Sequence, residues 1–141
     1  MGVKDILTRQ REFFRSGLTK ELSFRMEKIT LLKKTITAYE EDIKNALKKD
    51  LNKAPFEAYA SEIGIVLEEI KHTARRLPAW IKPRKVKTPL VHFWSRSYIK
   101  PEPYGVALIM SPWNYPFQLT LAPLIGSMSA VNCSIVKPSA Y

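Results

Sequence analysis

Val106-Ala107-Leu108-Ile109-Met110 is an unbroken apolar run, and Cys133-Ser134-Ile135-Val136 follows it as a second. A run without polar alternation suits a strand covered on both faces, the signature of a parallel sheet. Between them, Ser111-Pro112-Trp113-Asn114-Tyr115-Pro116 has the composition of a stiff loop. Residues 117–130 then fit a helix, with Pro116 near its start and Pro123 inside it predicting a kink. Gly126, Ser127, Ser129 and Ala130 are small enough for close packing near the end of that helix, and Asn132 closes it. Strand–loop–helix–strand is the βαβ unit of a doubly wound sheet. A lone parallel pair is an unfinished sheet, because such strands need neighbours and helices on both faces. With the second run so close to Tyr141, the expectation is an α/β fold that is incomplete within these residues.

Upstream the pattern is helical. Val3–Arg15 carries Ile6, Leu7, Phe13 and Phe14, and Ser16-Gly17 stops it. Thr19 reads as an N-cap, with Glu21 in the first turn to meet the helix dipole. Leu22, Met26, Ile29, Leu32, Ile36, Tyr39, Ile43, Leu47 and Leu51 recur at alternating steps of three and four, predicting one long helix with one buried face. Asn52-Lys53-Ala54-Pro55 breaks it, and Pro55 suits the first turn of the next helix. There the stripe is Tyr59, Ile63, Val66, Leu67, Ile70, Ala74 and Leu77, ended by Pro78 because the residue before proline avoids the helical region. The chain therefore divides into a helical segment, 1–80, a connector, 81–104, and the start of an α/β domain, 105–141.

The connector is basic and proline-punctuated, so residues 82–89 should be extended and exposed. Residues 97–100 read as a short strand, and Pro101, Glu102 and Pro103 place the following stretch at an edge or in a connection. The net charge of +10 is spread along helical faces, which argues against a nucleic-acid partner. No apolar run approaches the roughly 20 residues of a transmembrane helix, and the start lacks a secretory pattern. One cysteine, Cys133, agrees with a reducing, cytoplasmic setting. His72 and His92 are isolated, with no metal-ligand spacing, so no metal is expected.

Ligands of open α/β sheets bind beyond the carboxyl ends of the strands. Asn114 sits there, between Pro112, Trp113 and Pro116. A rigidly presented amide N–H suits the stabilisation of developing negative charge. From spacing alone, a loop asparagine that satisfies its own backbone in an Asx-turn is the commoner explanation. Lys137, in Lys137-Pro138-Ser139, ends the second run at the same edge. It could meet sugar hydroxyls or a phosphate, or be a solvated strand-end lysine.

The ordered set Glu102-Pro103-Tyr104-Gly105-Val106, Pro112-Trp113-Asn114-Tyr115-Pro116 and Lys137-Pro138-Ser139 closely resembles the aldehyde dehydrogenases, in particular their fatty-aldehyde, class 3-like branch. The resemblance covers essentially the whole chain, with its specific motifs in the last third. It implies a helical layer leading into the first βαβ of a Rossmann-like NAD(P)-binding domain. It also implies oxidation of aldehydes to carboxylic acids: a cysteine thiolate adds, hydride leaves to the nicotinamide, and water hydrolyses the thioester under a glutamate base. By resemblance, Asn114 stabilises the oxyanion. Met110, Ser111, Pro112, Trp113 and Asn114 line the cofactor cleft, and Lys137 with Ser139 binds the adenosine ribose of NAD or NADP. Residues 97–100 correspond to a strand the family uses for assembly, which implies a homodimer.

The family's glycine-bearing turn, general-base glutamate and nucleophilic cysteine follow the lysine segment and fall outside these residues. The segment alone is therefore expected to be inactive, and a non-catalytic assembly protein is the rival reading. Cys133 opens a buried strand and reads as core. Ala140 stands where many members carry a glutamate that accepts from the ribose 2′-hydroxyl. Its absence predicts tolerance of both cofactors.

Overall fold

The computed structural model describes residues 2–140, and its elements follow the hydrophobic spacing closely. Helix α1 (Val3–Arg15) ends at Ser16 and Gly17, the latter at φ 78. After a single 3-10 turn come α2 (Leu22–Ala38), α3 (Glu40–Leu51), the short α4 (Pro55–Ala58) and, through a π-turn at Tyr59–Ile63, α5 (Gly64–Trp80). The connector forms strands β1 (Arg84–Val86) and β2 (Ser97–Ile99), which pair antiparallel. Then β3 (Val106–Met110), α6 (Pro116–Ser129) and β4 (Cys133–Lys137) complete the chain. Strands β3 and β4 are parallel, in a register from Val106↔Cys133 to Met110↔Lys137, with α6 as their crossover.

The core lies where α2, α5 and α6 meet. Ile29 and Ile36 of α2, Val66, Ile70 and Leu77 of α5, Ile63 and Ile125 form one buried cluster. Burying each such side chain contributes about 1.5–3 kcal/mol, so the helical layer and the βαβ unit stabilise each other. Gly105 enters β3 at φ 105, a conformation few side-chain-bearing residues adopt. Its N–H donates to Asn132 Oδ1 at 2.8 Å, and its carbonyl accepts from Cys133 N at 2.9 Å, which sets the register. No described helix is long and apolar enough to cross a membrane.

Several local expectations are corrected. The stripe from Leu22 to Leu51 is two helices, because Tyr39 (φ −103, ψ 17) interrupts the helical backbone. Glu40, Glu41 and Asp42 then crowd the first turn of α3, where the helix dipole favours them. Thr19 is not an N-cap. It lies buried in the 3-10 turn, and Glu21 occupies the cap position of α2. Pro78 does not end α5, which runs on to Trp80. Leu77, buried in the core, holds the residue before the proline helical. Within these residues Ile109 of β3 is buried, whereas Leu108 is 60% and Met110 72% exposed, the open face of a two-stranded parallel pair.

Candidate functional site

The carboxyl ends of β3 and β4 form one edge, and the sequence-identified residues gather along it. Met110 and Lys137 are register partners. Ser111 N donates to Lys137 O at 3.1 Å, carrying the ladder one residue past β3. Ser111 is buried, and its Oγ has no hydrogen-bond partner among the described residues. Pro112, Trp113 and Asn114 follow, all exposed. The Asn114 side chain makes no hydrogen bond among the described residues, so it does not close an Asx-turn on its own backbone. Lys137 is exposed at the end of β4, and Ser139 is half-buried.

The turn is stiff for reasons visible in its backbone. Tyr115, directly after Asn114, sits in the left-handed region (φ 50, ψ 52) and caps α6, its carbonyl accepting from Leu119 N at 2.9 Å. Pro116 occupies the first helical position, where it has no N–H to leave orphaned. The free amides of the first turn meet a carboxylate from another element: Glu62 Oε2 accepts from Phe117 N at 2.8 Å and from Gln118 N at 3.3 Å. Glu62 is itself fully buried. Its Oε1 accepts from Lys53 Nζ at 2.5 Å, and that ammonium lies 4.0 Å from the Tyr115 ring centroid. At the other end of α6, Arg25 Nη1 donates to Ser129 O at 2.6 Å, and burial pulls that guanidinium down from its ordinary value.

Sequence reasoning missed Lys53 and Glu62. The available signal was that Glu62 falls three residues after Tyr59 and beside Ile63, a charge set into an apolar stripe. Cys133 stands apart from the site. It opens β4 at the far end from Lys137, roughly 13 Å away by strand rise, and burial pushes its thiol up. His72 packs at a tilt against Trp80, with ring centroids 5.7 Å apart.

Chemically, this edge offers an amide on a rigid turn and a buried hydroxyl, both without a partner among the described residues, and an exposed ammonium. It holds no thiolate. Residues 3–141 match the profile of the aldehyde dehydrogenase family. The chain is 52% identical over 127 residues to the 4,4'-diaponeurosporen-aldehyde dehydrogenase of Staphylococcus aureus, covering 90% of this chain and 28% of that protein. It is 39% identical to the dimeric NADP-preferring aldehyde dehydrogenase of the dog, over 97% of this chain and 30% of that one. The solved structure of a substrate-bound Staphylococcus aureus AldH superposes with a TM-score of 0.95 at 48% identity, covering 99% of this chain and 31% of that one. The NADP+ complex of succinic semialdehyde dehydrogenase from Streptococcus pyogenes shares the fold, with a TM-score of 0.84 at 18% identity, over 96% of this chain and 29% of that one. The chain thus spans 28–30% of the length of these curated relatives.

Proposed function

The chain belongs to the aldehyde dehydrogenase family, and on that footing we propose that it is the amino-terminal part of an NAD(P)-dependent enzyme that oxidises aldehydes to carboxylic acids. The observation that carries this reading is the position of Asn114, exposed and unbonded among the described residues, on the stiff turn that leaves β3 beside the end of β4. Its amide N–H donates to the oxyanion that develops when a thiolate adds to the aldehyde carbonyl. A donor already held in place reorganises little, which makes it more effective than water. Cys133 cannot supply that thiolate from the buried far end of β4, so the 141 residues by themselves do not turn over aldehyde.

The same edge suits a dinucleotide. Ser111 Oγ is a buried hydroxyl with no partner among the described residues, and Lys137, whose carbonyl accepts from Ser111 N, carries an exposed ammonium at the same edge. On this reading Met110, Ser111, Pro112 and Trp113 wall the cleft, while Lys137 and Ser139 meet the adenosine ribose. NAD or NADP, when bound, accepts the hydride. The dog relative's name, NADP-preferring, supports including NADP. Residues 1–80 form the helical layer, 81–104 the connector and assembly strand, and 105–141 the opening of the cofactor domain. Leu90, Val91, Phe93, Trp94 and Tyr98 leave an exposed apolar surface on the connector, which supports a homodimer in the complete, cytoplasmic enzyme.

The test is aldehyde-dependent formation of reduced nicotinamide by the full-length protein that carries this segment. Asn114→Ala should lower kcat by roughly 10²–10³-fold, a larger effect than any it has on cofactor affinity. An Asn114→Ala enzyme with undiminished kcat removes the oxyanion role. A full-length protein that reduces no cofactor with any aldehyde removes the whole reading.

A further inference from the structure

The residues that follow Asn114 are held by two side chains far from them in sequence, Lys53 and Glu62. We propose that Lys53 and Glu62 are positioning residues: a buried ion pair that grips the residues following Asn114 and thereby sets the direction of its amide. The inference deepens the reading of Asn114 as the oxyanion donor and rests on it.

The backbone just past Asn114 does something unfavourable. Tyr115 carries a β-carbon yet adopts φ 50, ψ 52, where that atom crowds the following carbonyl. A lone tyrosine would relax toward the right-handed or extended region, and the peptide it shares with Asn114 would turn with it. Two contacts oppose that relaxation. The Lys53 ammonium sits over the Tyr115 ring at 4.0 Å from its centroid, and its attraction for the ring face fixes where the side chain lies. The Glu62 carboxylate takes the amides of Phe117 and Gln118, fixing where α6 begins. Both contacts come from a single salt bridge, Lys53 Nζ to Glu62 Oε1 at 2.5 Å, so loosening either partner loosens both grips.

The placement of this pair is itself built with local irregularities. Lys53 follows Asn52, which turns the chain at φ 54 after α3. Glu62 lies in the π-turn Tyr59–Ile63, where an extra residue in the helical ladder shifts the side chains around the axis. Gly64 closes that turn, and a Cβ there would meet Tyr59 O at 3.1 Å. The side chains of Lys53 and Glu62 are 9% and 0% exposed. An ion pair so buried is a poor source of net stability, since well-packed apolar residues can equal it. What apolar residues do not reproduce is the carboxylate on the Phe117 and Gln118 amides or the cation on the Tyr115 ring.

The experiment uses the full-length protein carrying this segment. Glu62→Gln and Lys53→Met are made singly, Lys53→Met/Glu62→Met removes both charges together, and each is also combined with Asn114→Ala. Positioning through Asn114 gives a kcat lowered by roughly 10–100-fold, with cofactor affinity intact. Lys53→Arg, which keeps a cation able to stack, restores most of the Lys53→Met loss. In the Asn114→Ala background the further loss vanishes. The double Met variant protects the test should the singles, each with an uncompensated charge, fold poorly. Undiminished kcat in the double Met variant overturns the positioning role. So does a loss that persists in full when Asn114 is already alanine. If Asn114→Ala alone leaves kcat unchanged, the oxyanion reading fails and this inference fails with it, a result separable from the previous two.

Discussion

Glu62 and Arg25 hold the same helix from opposite ends. The carboxylate of Glu62 accepts from Phe117 N and Gln118 N in the first turn of α6, and the guanidinium of Arg25 donates to Ser129 O in its last. Each charge opposes the partial charge of the helix end it faces, so both are favourably placed despite burial. Arg25 also donates through Nη2 to Lys20 O at 3.1 Å, tying the turn before α2 to the same point. Arg25→Lys should therefore be a damaging substitution, because one ammonium cannot span two carbonyls as a fork does. The expected loss is about 1–3 kcal/mol, the penalty of a buried acceptor left unmet. Urea unfolding measures it; a variant as stable as the parent means that solvent replaces these bonds.

Val131 should be a site where glycine stabilises. It is β-branched and half-buried, yet its φ is 73, in the turn between α6 and β4. Such a backbone costs about 1–3 kcal/mol for a residue with a branched β-carbon, whereas glycine adopts it freely. Glycine gives back about 0.5–1 kcal/mol through unfolded-state entropy. Val131→Gly should thus gain roughly 0.5–2 kcal/mol, seen as a raised Tm. A lowered Tm would show that the valine side chain contributes more in contacts than its backbone loses in strain.

The break between α2 and α3 and the π-turn before α5 escaped the sequence for one physical reason: neither changes the spacing of the apolar residues. A bend at Tyr39 preserves the three- and four-residue steps, so Ile36, Tyr39, Ile43 and Leu47 still read as one stripe although α2 and α3 are separate. The π-turn before α5 likewise leaves Tyr59, Ile63, Val66 and Ile70 on a plausible helical face. Pro78 misled in the other direction, since a local preference yields when the preceding residue is anchored in a core. The βαβ unit was legible because continuous apolar runs and a proline-rich loop are strong local signals. The Asn114 turn was legible as a place, but not the means that hold it. Glu62 shows in the sequence only as a charge set into an apolar stripe, and Lys53 not at all, until the fold pairs them against the Tyr115 ring.

Cys133 should mark the alkaline limb of the stability curve. Its folded thiol is pushed up by burial, so it keeps its proton at a pH where the unfolded thiol, at roughly 8.5, has begun to lose its own. The folded state then binds more protons than the unfolded state, and stability falls as pH rises. This contribution is fully present below the unfolded value and is lost from there upward, at no more than about 1.4 kcal/mol per pH unit. Cys133→Ala removes the titrating group, so its stability should decline less steeply above roughly pH 8.5. Chemical unfolding of both proteins across that range reads the difference. Parallel curves would mean that the thiol titrates alike in both states.

Ala140 should govern the choice between NAD and NADP. It lies just beyond Lys137, the residue proposed to meet the adenosine ribose, and it is exposed. A carboxylate at that position would accept from a 2′-hydroxyl and repel a 2′-phosphate; a methyl group does neither. The full-length enzyme is accordingly expected to use both cofactors, with kcat/KM values within roughly tenfold of each other, or about 1.4 kcal/mol. Ala140→Glu introduces a like charge within a few ångströms of the phosphate. With partial solvent screening that repulsion amounts to about 1.4–2.7 kcal/mol, lowering kcat/KM for NADP by roughly 10–100-fold. The value for NAD should hold or rise, because the new carboxylate gains a hydroxyl partner. A parent enzyme that strongly prefers NAD, or a glutamate variant with an unchanged cofactor ratio, would place the discriminating contact elsewhere in the protein.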